Sequence, residues 1–235
     1  MSVAARLGIL GGTLDPVHVG HIETALAARR ALALDSILLL PSRVPPHRPL
    51  RPSASPFHRF AMAALAVSGV EGIEVSDAEL EVPGTSYTAE TLARLHQSGL
   101  EPSQLFFILG ADAFAEIDTW HRYPRVLEAA NFVVVSRPGH DSRAVAGRLP
   151  ELAARFAPAA HAHEDNRTPT RIFLIPAATP DVSSTDIRRR LRASEPITGL
   201  VADLVERHIR QHRLYMDVQS ATLIHSAADH LHGQN

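Results

Sequence analysis

Two histidines three residues apart, His18 and His21, close the stretch GILGGTLDPVHVGH, where an apolar run gives way to helical spacing. At i, i+3 they share one face of the first turn of a helix that the pattern predicts to begin near Val17. A helix start favours anions, because its first backbone N–H groups have no acceptor within the helix. Imidazole N–H groups beside such donors make a site for a polyphosphate, with Gly20 between them leaving room for the ligand. Gly11 and Gly12 can bring backbone close to a ligand or take positive φ. The pattern is neither G-x-G-x-x-G nor a Walker A loop, which needs G-K-[ST]. A metal site would need a third ligand, and Asp15 is the only close carboxylate. Ordinary surface or capping histidines are the bland alternative, and the adjacent glycines weigh against it.

Something must hold that loop. Short β-rich apolar runs recur at Leu7–Leu10, Ser36–Pro41, Ile73–Asp77, Leu105–Gly110, Phe132–Pro138 and Arg171–Pro176, with Ala- and Leu-rich helical segments between them. Strand and helix alternate, which predicts an α/β fold: a Rossmann-like doubly wound parallel sheet with helices on both faces and a small C-terminal helical part. In such sheets ligands bind at the carboxyl ends of the strands, and GGTLDPVHVGH directly follows the first strand. One α/β unit over residues 1–215 is expected, with 182–215 as its helical part and 216–235 as a polar tail. The segment TWHRYPRVLEAAN reads as two short helices broken near Pro124. Pro41–Pro56 is a Pro- and Arg-rich loop too long for a simple connection, and residues 158–170 read as a polar surface insertion.

Composition narrows the function classes. At 235 residues with 45% hydrophobic content the chain can bury one substantial core. It has no cysteine, which excludes a disulfide framework, a thiolate metal site and a thiol nucleophile. A net charge of −2 gives no electrostatic footprint for nucleic acid or a membrane surface, so small molecules are the expected partners. All 23 cationic residues are arginines, so any phosphate gripped by a cationic side chain is gripped by Arg or protonated His. No apolar stretch is long enough for a signal peptide or a membrane helix, and a cytoplasmic location is expected. Homo-oligomerisation is left open.

Near the other end, SSTDIRRRL (Ser183–Leu191) follows the last expected strand. There a Ser or Thr can cap a helix and offer hydroxyl and N–H groups to phosphate, with Arg188 one turn on. Alone it could be an ordinary capped basic helix. Together with H-x-G-H in Gly11–His21, in this order and after these strands, it resembles the signature pair of the nucleotidyltransferase superfamily of adenylyl- and cytidylyltransferases. VPPHRP (Val44–Pro49), GTSYTAETL (Gly84–Leu92), LGADAF with TW (Leu109–Trp120) and SRPG (Ser136–Gly139) further resemble the bacterial nicotinate-nucleotide adenylyltransferases. The likeness spans about Leu7 to Tyr215. Val82 stands where the family often has a basic residue, and His121 where an aromatic is frequent.

This resemblance implies adenylyl transfer from ATP to nicotinate mononucleotide, giving deamido-NAD and pyrophosphate in NAD biosynthesis. It implies that Gly11, Thr13, His18, His21, Ser184, Thr185 and Arg188 surround the ATP phosphates, with Gly12 and Gly20 in the same loop. Gly110 and Asp112 would lie near the adenosine ribose or the second nucleotide. His47, Arg48 and Arg137 would hold the mononucleotide phosphate, while Trp120 stacks on the nicotinate ring with Thr88 near its carboxylate. Trp120, the sole tryptophan, lies in a polar context that independently suits a stacking platform.

Adenylyl transfer needs no protein nucleophile; the protein must align the attacking phosphate and stabilise spreading charge. His18, His21 and Arg188 are the expected catalytic groups, acting as donors. Mg²⁺ is expected to travel with ATP, since the chain shows no carboxylate cage. Competing readings are an adenylyltransferase for nicotinamide mononucleotide or phosphopantetheine, a non-catalytic nucleotide-binding regulator, and a His-ligated metal hydrolase.

Overall fold

Each β-rich run becomes a strand in the computed structural model, which describes residues 5–46, 52–136, 147–163 and 169–216. Strands β1 (Leu7–Gly12), β2 (Ser36–Pro41), β3 (Ile73–Val75), β4 (Leu105–Gly110), β5 (Asn131–Ser136) and β7 (Ile172–Pro176) answer to the six runs. A further strand, β6 (Phe156–Ala157), is too short to leave a period in the sequence. The order is β3-β2-β1-β4-β5-β7-β6, with every neighbouring pair parallel. Strand order reverses between β1 and β4, and the crevice outside the carboxyl ends at that switch point is where open α/β sheets bind ligands.

Helices cover both faces because the central strands β1, β4 and β5 are apolar on both sides. Successive residues point to opposite faces. Leu10, Ile108, Val133 and Val135 therefore join α1 (Val19–Leu32), α2 (Pro56–Val67), α5 (Ser184–Arg192) and α6 (Asp203–Gln211) in one core. Ile9, Phe107, Leu109 and Val134 join α3 (Thr88–Gln97) and α4 (Ala111–Phe114) in the other. The segment after α4 forms 3₁₀ turns at Ile117–Thr119 and Arg125–Glu128, with Pro124 capping the second, close to the expected break. Ala159–His163 forms another such turn in the expected insertion. Among the described residues no helix is long and apolar enough to cross a membrane.

Helices α2 and α6 meet at a histidine cluster. His58 Nδ1 lies 3.1 Å from His208 Nε2, and the His208 and His212 rings are 4.4 Å apart between centroids. Burial, and then the neighbouring His212 and His58, hold the His208 pKa below the ordinary histidine value. The unfolded chain then binds a proton more readily than the folded one, so the stability this group contributes is present above its unfolded value, about 6.5, and falls as pH drops through that value toward the folded one. Thermal melting from about pH 8 to 5.5 should show a falling Tm, and His208→Gln should flatten part of that slope. An unchanged slope in the variant would remove the cluster from the explanation.

Candidate active site

The loop between β1 and α1 is built by long-range hydrogen bonds rather than by glycine flexibility. Gly11 and Gly12 continue β1 in register with Leu40 and Pro41, and the residue with positive φ is Leu14, at 49°. Arg59, on α2 and 0% exposed, donates to the Thr13 carbonyl (2.7 Å), the Arg43 carbonyl (3.2 Å) and the Ala54 carbonyl (3.3 Å). The Asp15 carboxylate, 3% exposed, accepts from the backbone N–H groups of Ser53 (2.7 Å) and Ala54 (3.1 Å) and from the Tyr215 hydroxyl (2.7 Å). Asp15 is therefore a structural anchor, and its three donors leave it a poor metal ligand. Among the described residues no group of three His, Cys, Asp or Glu side chains could hold a metal ion.

Helix α1 starts two residues later than the spacing suggests. His18 is its extended N-cap (φ −144°, ψ 169°), and the helix begins at Val19. The His18 backbone N–H donates to His21 Nδ1 at 3.2 Å. An accepting Nδ1 places the proton of a neutral His21 on Nε2, so that ring is preset as a donor through Nε2. The two imidazoles stack at 3.7 Å between centroids with a 32° tilt. Two backbone donors expected at the helix start are already used: Val19 N–H donates to the Leu200 carbonyl (3.0 Å) and His21 N–H to the His18 carbonyl (2.9 Å).

A Cβ at Gly20 would stand 3.0 Å from His18 Nδ1 and 3.1 Å from its Cε1, so this glycine, which also lines the cavity, accommodates the His18 ring. At Gly110 a Cβ would meet nothing within 4 Å, which leaves that strand end open to a ligand.

These residues line one cavity of about 380 Å³ at the switch point. Gly11, Gly12, Thr13, His18, Gly20 and His21 come from the β1–α1 side, Gly110 from the end of β4, and Thr88 and Trp120 from the other core's side. Trp120 packs edge-to-face on Phe107, with centroids 5.9 Å apart at 89°, and also lines the cavity, so one ring both anchors to the core and faces the ligand space. Thr88 opens α3, placing that helix's N-terminus at the cavity wall. His121 stacks on Tyr87 at 4.4 Å and lies 3.5 Å from Glu90, which also pairs with Arg122 at 2.8 Å.

Other expected residues stand off the lining. Ser183 caps α5 by accepting from Asp186 N–H at 3.1 Å, as the S-S-T pattern predicts. The Ser184 hydroxyl donates to the Pro16 carbonyl (2.9 Å), and Arg188 donates to the Asp15 carbonyl (2.5 Å) and the Thr185 hydroxyl (3.2 Å). In this structure the second motif clasps the first. Asp112 is exposed in the first turn of α4, whose N-cap is Gly110. His47, Arg48 and Arg137 lie outside the described residues, as does 217–235 of the tail.

Sequence reasoning missed several wall residues. Thr24, Ser42, Glu79 and Tyr87 line the cavity, Glu79 as a buried carboxylate accepting from the Thr91 hydroxyl at 2.7 Å. Arg43, off the lining, staples this wall: its guanidinium donates to the Leu80 carbonyl, while its backbone N–H donates to the hydroxyl of Ser86, which lines the cavity, at 2.9 Å. No local pattern announces such contacts. Arg59 did carry a signal, since it shares the buried α2 stripe with Met62, Ala63 and Val67.

The cytidylyltransferase-like family model matches residues 9–190. A probable nicotinate-nucleotide adenylyltransferase of Roseiflexus sp. (strain RS-1) is 44% identical over 212 residues, covering 90% of this chain and 98% of that protein. One from Desulfatibacillum aliphaticivorans is 37% identical over 222 residues, covering 90% of this chain and 100% of that protein. The solved structure of Plasmodium falciparum nicotinic acid mononucleotide adenylyltransferase complexed with NaAD superposes with a TM-score of 0.66 at 16% identity, covering 90% of this chain and 97% of that one, a likeness that bears on the fold. With a family match running from β1 into α5, and relatives this similar over nine-tenths of its length, the chain belongs to the cytidylyltransferase-like family, among the nicotinate-nucleotide adenylyltransferases.

Proposed function

We propose that this chain transfers the adenylyl group of ATP to nicotinate mononucleotide, releasing pyrophosphate and forming nicotinate adenine dinucleotide for NAD biosynthesis. One observation carries the reading: a single cavity at the sheet's switch point is walled by the His18–His21 pair and by Trp120 with the start of α3. The first suits a triphosphate. The second suits a flat pyridine ring bearing an anion, because an aromatic face stacks the ring and a helix N-terminus favours the carboxylate.

In the reaction a phosphate oxygen of the mononucleotide attacks the α-phosphorus of ATP. The new P–O bond forms as the bond from the α-phosphorus to the α,β-bridging oxygen breaks, and that oxygen leaves with pyrophosphate. The attacking phosphate is already an anion, so no side chain need take a proton from it. His21, preset to donate through Nε2, and His18 supply hydrogen bonds to oxygens that gain charge. Ser184, Thr185 and Arg188 hold the Asp15–Pro16 turn from the far motif and thereby fix where the histidines stand. Gly110 leaves the end of β4 open for the nucleoside, with Asp112 beside it. His47, Arg48 and Arg137 supply the cations for the mononucleotide phosphate. Magnesium enters as the MgATP substrate, carried by phosphates and water.

The chain supplies its own probe, because Trp120 is its only tryptophan. Titration with nicotinate mononucleotide should quench its fluorescence saturably. Trp120→Ala should raise the KM for nicotinate mononucleotide by roughly ten- to a hundredfold, the equivalent of about 1–3 kcal/mol of stacking, and leave the KM for ATP near its original value. Equal effects on both substrates would move Trp120 off the pyridine subsite.

A further inference from the structure

Beyond the motifs, one contact ties the end of the described chain to the catalytic loop. Tyr215 follows α6, and its hydroxyl donates to Asp15 Oδ1 at 2.7 Å. To reach it the backbone takes positive φ at Arg213 (50°) and again at Tyr215 (66°), a conformation that an aromatic residue rarely adopts and keeps only where its surroundings enforce it. Burial and the adjacent Asp15 push the phenol pKa well above the tyrosine range, so the hydroxyl stays a donor at physiological pH.

Asp15 is the hub of the loop. Its carboxylate gathers Ser53, Ala54 and Tyr215, while its carbonyl accepts from Arg188. Three residues further on stands His18, the N-cap whose backbone positions His21. Removing the phenol donor would leave one lone pair of a buried carboxylate unpaired and let the turn relax beneath both imidazoles.

We propose that Tyr215 is a positioning residue for adenylyl transfer: through Asp15 it sets the turn that presents His18 and His21 to the phosphates. The inference rests on the adenylyl-transfer reading above.

Tyr215→Phe, which deletes one oxygen and keeps the ring, tests it in the full-length protein. With saturating MgATP and nicotinate mononucleotide, kcat should fall about tenfold or more, as a small misplacement of reacting groups does, with both KM values within about twofold. Asp15→Asn should lower kcat similarly, and the double variant should be no worse than the poorer single one, because both break one link. Thermal melting of each variant separates this from unfolding. A Tyr215→Phe protein with a lowered Tm and wild-type kcat overturns the proposal, since its role is then only structural. So does a double variant whose losses multiply. If the unaltered protein makes dinucleotide and Tyr215→Phe makes it equally fast, the positioning role alone fails. If the unaltered protein makes none, the reading of the site fails and the positioning role with it.

Discussion

Replacing His18 or His21 with alanine should lower kcat for dinucleotide formation by about 10²- to 10³-fold, the cost found when one preorganised donor to developing charge is removed. KM values should change far less. A donor aimed at phosphate oxygens that gain charge only as the α-phosphorus is attacked contributes more in the transition state than in the bound ground state. The two substitutions should also interact. His21 Nδ1 accepts from the His18 backbone N–H, and the rings stack at 3.7 Å, so losing either side chain disturbs the other. The double variant should therefore fall well short of the product of the single losses. Steady-state kinetics of the three proteins would decide it, and losses confined to KM would assign the pair to ground-state binding.

Arg59→Met should be the most destabilising of the substitutions considered. The guanidinium is 0% exposed and donates to three carbonyls, those of Thr13, Arg43 and Ala54. Burial lowers its pKa, and the neighbouring Asp15 and Glu79 carboxylates oppose that shift, so the cation sits where buried anionic groups need it. Methionine fills much of the volume, but it leaves three carbonyls without their donor and Asp15 and Glu79 without a buried counter-charge. Breaking such an arrangement costs about 3–5 kcal/mol. For a chain of this size that corresponds to a Tm lower by roughly 10 °C in thermal melting. A melting point unchanged within about 2 °C would mean that water or neighbouring groups replace the lost bonds. Activity should fall as well, because Thr13 is the first residue past β1 on the phosphate side.

Strands β1, β2, β4, β5 and β7 were legible because each centres on a short apolar run, and burial on both faces is what a parallel sheet demands. Ser36–Pro41 and Leu105–Gly110 match the sequence reading end for end. Helix α1 was legible except for its start. His18 adopts an extended cap conformation that no residue preference dictates, and the His21 ring completes the cap. The glycines were legible as special, and the structure adds detail: Gly20 also accommodates the His18 ring, and Gly11 and Gly12 line the cavity as strand residues without positive φ. What stayed hidden is pairing across distance. Asp15 with Tyr215, Arg59 with Thr13, and Arg188 with the Asp15 carbonyl join positions that only the closed fold brings together. The sequence displays both ends of each pair but not the bond.

The most direct test of the central claim is pyrophosphate release by the purified chain with MgATP, comparing nicotinate mononucleotide, nicotinamide mononucleotide and phosphopantetheine at matched concentrations. The account predicts rapid release with the acid nucleotide, one dinucleotide formed per pyrophosphate, and much slower release with the other two. Release that favours either of the others, or none with any of the three, would contradict it.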